Sequence, residues 1–252
     1  EIRDRRRGLA AEEHADQVHS VRRKNLASHI EIGGGDSHSA APARTAGHLP
    51  AGELDRVLVA RLRRQYDGNP DVTVHEADAL RFDFASLGDE IRVVGNLPYN
   101  ISTPLLFHLL KYRDSILDMH FMLQKEVVDR MVAAPGSKIY GRLSVMIQAY
   151  CRAETLLDVA PGCFNPPPKV ESSVIWLQPY QEENPHTIHD LTLLARTVKA
   201  AFQQRRKTLR NNLKGLLTAQ QITACEIDPQ ARAETLSISD FSCLANYLAE
   251  QN

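Results

Sequence analysis

Hydrophobic and polar positions along this chain follow two periods in turn. Val72-Thr73-Val74-His75 and Ile91-Arg92-Val93-Val94-Gly95 are short apolar runs between polar residues, which predicts strands. Met119-His120-Phe121-Met122-Leu123 predicts a third strand, and residues 155–159 and 173–177 close the series. Between these runs the spacing lengthens to that of a helix. Leu54, Val57, Leu58 and Leu62 recur at helical intervals among Arg56, Arg61, Arg63 and Arg64, giving an amphipathic helix. Thr103-Pro104 predicts a helix start, with Thr as N-cap and Pro at the first helical position. That helix continues through Leu105, Leu106, His108, Leu109 and Leu110. Residues 125–133 and 142–150 predict two more helices. Strands alternating with helices imply α/β architecture with a mainly parallel sheet.

The pattern changes at residues 178–185, a polar stretch with two prolines that reads as a linker. Beyond it only helical periodicity remains, over residues 191–202, 208–217 and 241–250. Two units are therefore expected: an α/β domain over residues 1–180 and a small all-α domain over residues 181–252. The first fifty residues are less legible. Residues 1–30 show no clear apolar periodicity, and residues 40–47 suit neither helix nor strand. No repeat or low-complexity tract interrupts the chain.

A length of 252 residues allows a sizeable core. The formal net charge of −1 offers no bulk argument for a polyanionic partner, but its distribution does. From residue 196 to 214 the charged residues are Arg196, Lys199, Arg205, Arg206, Lys207, Arg210 and Lys214, with no acid among them. Four cysteines without a CxxC pair predict neither a zinc site nor a disulfide framework. Ten histidines without HExxH or His/Cys spacing support no metal site. No apolar stretch is long enough to cross a bilayer, and the arginine-rich beginning is not a secretory signal, so a cytoplasmic location is the expectation.

The candidate chemistry centres on Asn96-Leu97-Pro98-Tyr99, directly after the predicted strand at 91–95. Proline makes a rigid turn there, holding an amide, a backbone carbonyl and an aromatic ring close together. Such a set suits methylation of an exocyclic adenine amine. The amine is a poor nucleophile because its lone pair is delocalised into the ring. The Asn96 side-chain oxygen and the Leu97 carbonyl can accept from its two N–H groups and draw the nitrogen toward a tetrahedral form. Tyr99 can stack on the base. The plainer reading of four such letters is an inert strand-to-helix loop, so their surroundings matter.

Three features upstream suit a nucleoside cofactor. Glu31-Ile32-Gly33-Gly34-Gly35 allows close backbone approach, with Glu31, Gly33 and Gly35 on the ligand side. Glu53, about twenty residues further on, is placed to grip ribose hydroxyls. Asp78, with Ala79 beside it, follows a strand and can accept from an adenine amino group. Singly these are also a glycine turn, a first-turn helix acid and a turn aspartate. Together and in this order they are far more specific. Downstream, Phe164-Asn165-Pro166-Pro167-Pro168-Lys169-Val170 is a stiff loop whose ring can clamp a flipped base opposite Tyr99, or simply anchor the loop in the core. Arg205, Arg206, Lys207 and Arg210 form the best nucleic-acid footprint, with Arg142 and Lys125 as a further basic rim.

From Glu53 onward, about four-fifths of the chain, these stretches resemble the ribosomal small-subunit RNA adenine dimethyltransferases. The resemblance lies in residues 94–105, 118–127, 140–145, 164–172 and 202–212, in Asp228-Pro229, and in Arg232-Ala233-Glu234. It implies a class I methyltransferase fold, Rossmann-like, with S-adenosylmethionine as donor. It implies transfer of two methyls to each of two adjacent adenosines near the 3′ end of small-subunit rRNA. By position, Gly33, Glu53, Asp78 and Asn96 look like cofactor-side residues. Asn96, Leu97, Pro98 and Tyr99 look like the target-base residues, with Phe164 as the second stacking partner. The expected partner is rRNA within the small subunit or its precursor, and a monomer is expected. The family's Gln-Asn-Phe-Leu segment is not found in residues 1–30, and His48-Leu49-Pro50-Ala51-Gly52 replaces the apolar strand expected before Glu53. This departure falls on the donor side, so donor affinity is the property it bears on. Two alternatives remain at this point: a non-catalytic small-subunit assembly factor, and a large-subunit rRNA methyltransferase of the antibiotic-resistance type.

Overall fold

The structure, a computed structural model, describes residues 29–32, 49–53, 56–69, 72–97, 101–164, 167–181 and 184–250. Among them seven strands form one sheet: β1 (His29–Ile32), β2 (Leu49–Glu53), β3 (Val72–Glu76), β4 (Ile91–Asn96), β5 (Ile116–Gln124), β6 (Cys151–Val159) and β7 (Ser172–Pro179). Their order is β3-β2-β1-β4-β5-β7-β6. All neighbours are parallel except β7, which runs against both β5 and β6. The sheet grows outward from β1 to β3, then restarts beside β1 with β4. At such a reversal a crevice opens beyond the carboxyl ends of the strands.

The helices are α1 (Arg56–Gln65), α2 (Ser102–Leu109), α3 (Lys125–Met131), α4 (Arg142–Tyr150), α5 (Leu191–Ala201), α6 (Leu209–Asn212), α7 (Ala219–Ala224) and α8 (Ile238–Ala249). Strand β4 alternates as its letters require, with Ile91, Val93 and Gly95 buried and Arg92, Val94 and Asn96 half-buried. In α1, Val59 and Leu62 are buried and the arginines at 61, 63 and 64 are exposed.

Several expectations need correction. Leu49–Glu53 is a strand despite Pro50 and Gly52, because it pairs residue for residue with Val72–Glu76. Pairing with β1 begins only at Ala51, so Pro50 sits where one neighbour runs alongside and a missing N–H is tolerated. Thr103 is not an N-cap. Ile101 holds that position, with no side-chain cap, and Pro104 is the third helical residue. Proline is accepted there because first-turn N–H groups have no intrahelical acceptor. The helix expected over 208–217 is only Leu209–Asn212, ending ahead of Gly215 at φ +89°.

Residues 178–185 are not a free linker. Gln178 and Pro179 belong to β7, paired with Arg152 and Cys151. Tyr180 N–H then donates to the Tyr150 carbonyl (2.8 Å), and the Asn184 amide donates to the Ala149 carbonyl (3.1 Å). On both sides of residues 182–183, which lie outside the described residues, the segment is fastened as a strap to the end of α4.

Two apolar clusters result. One joins β4, β5 and β7 to α2 and α3 through residues such as Ile91, Val93, Leu105, Phe121 and Ile175. The other is built from α5 to α8, with Leu194, Val198, Leu213, Phe241 and Leu244 fully buried. Helix α4 serves both. Leu143 and Ile147 enter the first cluster, while Val145, Met146 and Ala149 enter the second.

Candidate functional site

Four parallel strands end in step. Ile32 pairs with both Gly52 and Gly95, and Gly52 pairs with His75. Glu53, Glu76 and Asn96 are the last residues of their strands, so Glu53 and Asn96 lie on one edge, on either side of β1. Glu31 lies in β1, paired with Ala51 and Val94. Gly33, Gly35, Pro98 and Tyr99 lie outside the described residues.

Asp78 follows β3 on the same edge. Its Oδ1 accepts from the Leu80 N–H (2.9 Å), an Asx turn that fixes the carboxylate and leaves Oδ2 only a long contact with Arg81 (3.7 Å). The downstream chain is anchored firmly. Phe82 and Phe84 meet edge to face at 5.2 Å, Phe84 is buried, and the Phe82 carbonyl is 2.8 Å from His108 Nε2 on α2. Ala79 packs half-buried against the first cluster.

Asn96 is half-buried, and its side chain makes no hydrogen bond among the described residues. The next residue is held tightly: Leu97 is 1% exposed, and its N–H donates to the Met122 carbonyl on β5 (3.2 Å). A buried leucine and a cross-strand hydrogen bond therefore place an uncommitted amide at the strand-order reversal. This is the arrangement in which a polar group can serve a ligand rather than the fold.

The loop of Phe164 shares that edge, because β7 runs antiparallel and starts where β5 ends, with Ser172 opposite Gln124. Phe164 is half-buried after a short turn at Pro161–Cys163. Both stems of the loop are fastened by Lys125, the first residue of α3. Its N–H donates to the Glu171 carbonyl (2.9 Å), and its Nζ reaches Asp158 (3.0 Å) and Asp129 (3.3 Å). Asp158 also accepts from the Ser173 hydroxyl (2.6 Å). That bond first, then Lys125, holds the Asp158 carboxyl below the usual range, and Asp158 in turn raises the Lys125 ammonium. Lys125 was expected in a basic rim. Its charge is instead neutralised by two carboxylates within the fold.

The basic segment follows α5. Arg206, Lys207 and Arg210 are exposed and make no ion pair among the described residues, as does Arg142 at the start of α4. Arg205 differs: Nε donates to Glu234 (3.2 Å), so the acid missing from the local sequence is supplied from the 3-10 turn Ala233–Thr235. Sequence reading missed Asp158, Glu234 and Asn212. Asp158 lies 33 residues from Lys125 and Glu234 lies 29 from Arg205, so no local spacing marks either. Among the described residues there is no group of His, Cys, Asp or Glu able to hold a metal, and no helix long and apolar enough to cross a membrane.

A seven-stranded sheet in this order, with one antiparallel strand and its polar groups gathered at the reversal, defines a class I methyltransferase. The same fold is shared with the dimethyladenosine transferase from Plasmodium falciparum (TM-score 0.70, 24% identity, 86% of this chain and 88% of that one). It is shared equally with the 23S rRNA methyltransferase ErmE (TM-score 0.69, 20% identity, 88% and 91%). The ribosomal RNA adenine dimethylase family model matches residues 24–250, and the chain belongs to that family. It is 52% identical over 230 residues to the ribosomal RNA small subunit methyltransferase A of Pseudomonas aeruginosa, spanning 88% of this chain and 84% of that protein. The protein of the same name from Thiobacillus denitrificans is 56% identical over 202 residues, spanning 80% and 78%. The match reaches residue 24, well upstream of the stretch whose resemblance is readable by eye.

Proposed function

We propose that this protein transfers methyl groups from S-adenosylmethionine to N6 of two adjacent adenosines near the 3′ end of small-subunit rRNA. The products are dimethyladenosines, and the reaction serves maturation of the small subunit. The observation that carries this reading is Asn96, a half-buried and uncommitted amide closing β4 where the strand order reverses. The residues present suit the donor: Glu53 and Asp78 stand on the same edge, and Asp78 keeps one carboxylate oxygen available beyond its turn.

When bound, S-adenosylmethionine supplies an electrophilic methyl on a sulfonium. Glu53 is assigned to ribose hydroxyls, Asp78 and Ala79 to the adenine, and Glu31, Gly33 and Gly35 to close backbone approach. Asn96 and the Leu97 carbonyl accept from the target amine, favouring its tetrahedral form as positive charge develops on nitrogen. Pro98 stiffens the turn, and Tyr99 and Phe164 hold the base between two rings. No general base is needed, because a methylated aryl ammonium loses its proton readily to water.

Residues 1–180 are assigned to donor and target base, and residues 181–252 to the RNA through Arg206, Lys207 and Arg210, with Arg142 alongside. The substrate is rRNA in the small subunit or its precursor, and the protein works as a monomer in the cytoplasm. Fold likeness does not decide the substrate, since a dimethyladenosine transferase and a 23S rRNA methyltransferase share the fold equally. Identity of about half the residues with small-subunit enzymes favours the first. Labelled methyl transfer to unmethylated small subunits, naked RNA and large subunits tests the reading. Small subunits should be labelled at both adenosines. Transfer to large subunits alone, or none at all, would overturn it.

A further inference from the structure

Arg205 heads the basic segment, yet its side chain is already engaged. Nε donates to Glu234 Oε2 at 3.2 Å, and Nη2 donates to the Lys138 carbonyl. Glu234 and Lys138 lie in two other segments that are also tied to each other. The Gly136 N–H donates to the Glu234 carbonyl (2.7 Å), and the Tyr140 hydroxyl donates to the Leu236 carbonyl (2.9 Å). Residues 136–140, 204–207 and 234–236 therefore meet around one guanidinium. The first of these segments borders the target-base loop, because Ile139 shares a groove of about 390 Å³ with Val170. The second is shaped by Asn212, whose amide donates to the carbonyls of Ala201 (2.6 Å) and Gln204 (3.0 Å).

We infer that Arg205 is a positioning residue rather than a phosphate contact. It aligns Lys138 with Arg206 and Lys207 in one track for the RNA backbone, leading from the basic turn toward the loop of Phe164. The inference rests on the rRNA reading above. Lys138, Arg206 and Lys207 are exposed, and their side chains make no ion pair among the described residues. With Nε on a carboxylate and Nη2 on a carbonyl, the Arg205 guanidinium has two of its five N–H donors held and its charge offset, so it is anchored in place and attracts a phosphate less than an unpaired arginine does.

Glu234→Gln decides between the two roles, because they give opposite signs. If Arg205 contacts phosphate, releasing it and removing a negative charge tightens RNA binding and steepens its salt dependence. If Arg205 is the latch, the same change loosens the track and weakens binding, by roughly threefold to tenfold for a partly exposed charge-assisted hydrogen bond. Arg205→Met should match that loss, and the double variant should lose little more than either single one. Lys138→Ala should flatten the slope of log affinity against log salt by about 0.7, as loss of one single-strand phosphate contact does. Affinities are measured on the full chain with a labelled fragment of the small-subunit rRNA 3′ end, well below each variant's melting temperature. Loss of fold then does not enter the reading. Tighter binding in Glu234→Gln, additive losses in the double variant, or a wild-type slope in Lys138→Ala would each overturn the inference. Methyl transfer by the unaltered protein is followed separately. An rRNA reading that fails there leaves the sign of Glu234→Gln still readable on RNA binding.

Discussion

The Asn96 side chain makes no hydrogen bond among the described residues, and the role proposed for it uses that freedom. Asn96→Ala should raise the barrier to transfer by about 3 kcal/mol, roughly a hundredfold in rate, since the lost acceptor acts on charge that develops only during reaction. RNA affinity and melting temperature should barely move, because no hydrogen bond among the described residues is lost. Single-turnover transfer near the wild-type rate would remove Asn96 from the mechanism. Asp78 has two duties that substitution can separate. Its Oδ1 holds the turn through the Leu80 N–H, and its Oδ2, with only the long Arg81 contact, is assigned to the donor. Asp78→Ala loses both, while Asp78→Asn keeps the turn acceptor. Calorimetry with S-adenosylmethionine should show donor affinity falling about tenfold or more in the alanine variant and less in the asparagine variant, with RNA affinity unchanged. The positions of both residues at the ends of strands were readable in the sequence because their signals are local: an amide before a proline turn, an acid after a strand. The ion pairs of Arg205 and Lys125 were not readable, for the converse reason. Their acids, Glu234 and Asp158, come from distant segments, so a residue that looks free along the chain is paired in space.

Strands with β-branched runs and helices with amphipathic stripes were legible, and α4 begins and ends where its periodicity does. Elements set by pairing or capping were not. Strand β2 contains Pro50 and Gly52 and exists because neighbours on both sides pair with it. Helix α7 has few apolar residues, but the Thr218–Gln221 capping box marks its start, and Ser237–Asp240 marks that of α8 three residues ahead of the apolar pattern. The β6–β7 loop shows what such non-local ties do for the site, since Lys125 and Asp158 hold its two stems together. The Asp158 carboxyl is depressed by Ser173 and then Lys125, so the stabilisation is complete above the ordinary carboxylate range of about 3.9 and is lost as pH falls through the depressed value. Lys125 is raised, chiefly by Asp158, so its part is complete below about 10.4 and is lost only as pH rises through the raised value. Asp158→Asn should therefore melt lower than wild type at neutral pH, with the difference shrinking as both are taken into acid. A difference independent of pH would mean the ion pair is not what holds the stems.

Chemistry and folding divide this molecule at different places. The residues proposed for donor and target base lie before residue 180 and the basic turn after it, but the second apolar cluster does not begin there. Tyr140, Val145, Met146 and Ala149 are part of it, and the strap at residues 178–184 is hydrogen-bonded to the end of α4. Helix α4 thus belongs to both cores, and removing one side of it exposes the other. A chain of residues 181–252 alone would be near the size at which a single core is marginal, and it would lack those four buried side chains. It should therefore be largely unfolded, with weak helical dichroism and no cooperative melt. In the full chain, Met146→Ala should cost about 2–5 kcal/mol by opening a cavity at the seam. Because the clusters share α4, amide-exchange protection should fall together in β5 and in α8 rather than in α8 alone. A fragment that melts cooperatively with native helicity, or a Met146→Ala variant that loosens α8 while leaving β5 protected, would show that the helical part folds by itself. The basic turn would then ride on an autonomous module, and Tyr140 and α4 would be its docking surface rather than part of its core.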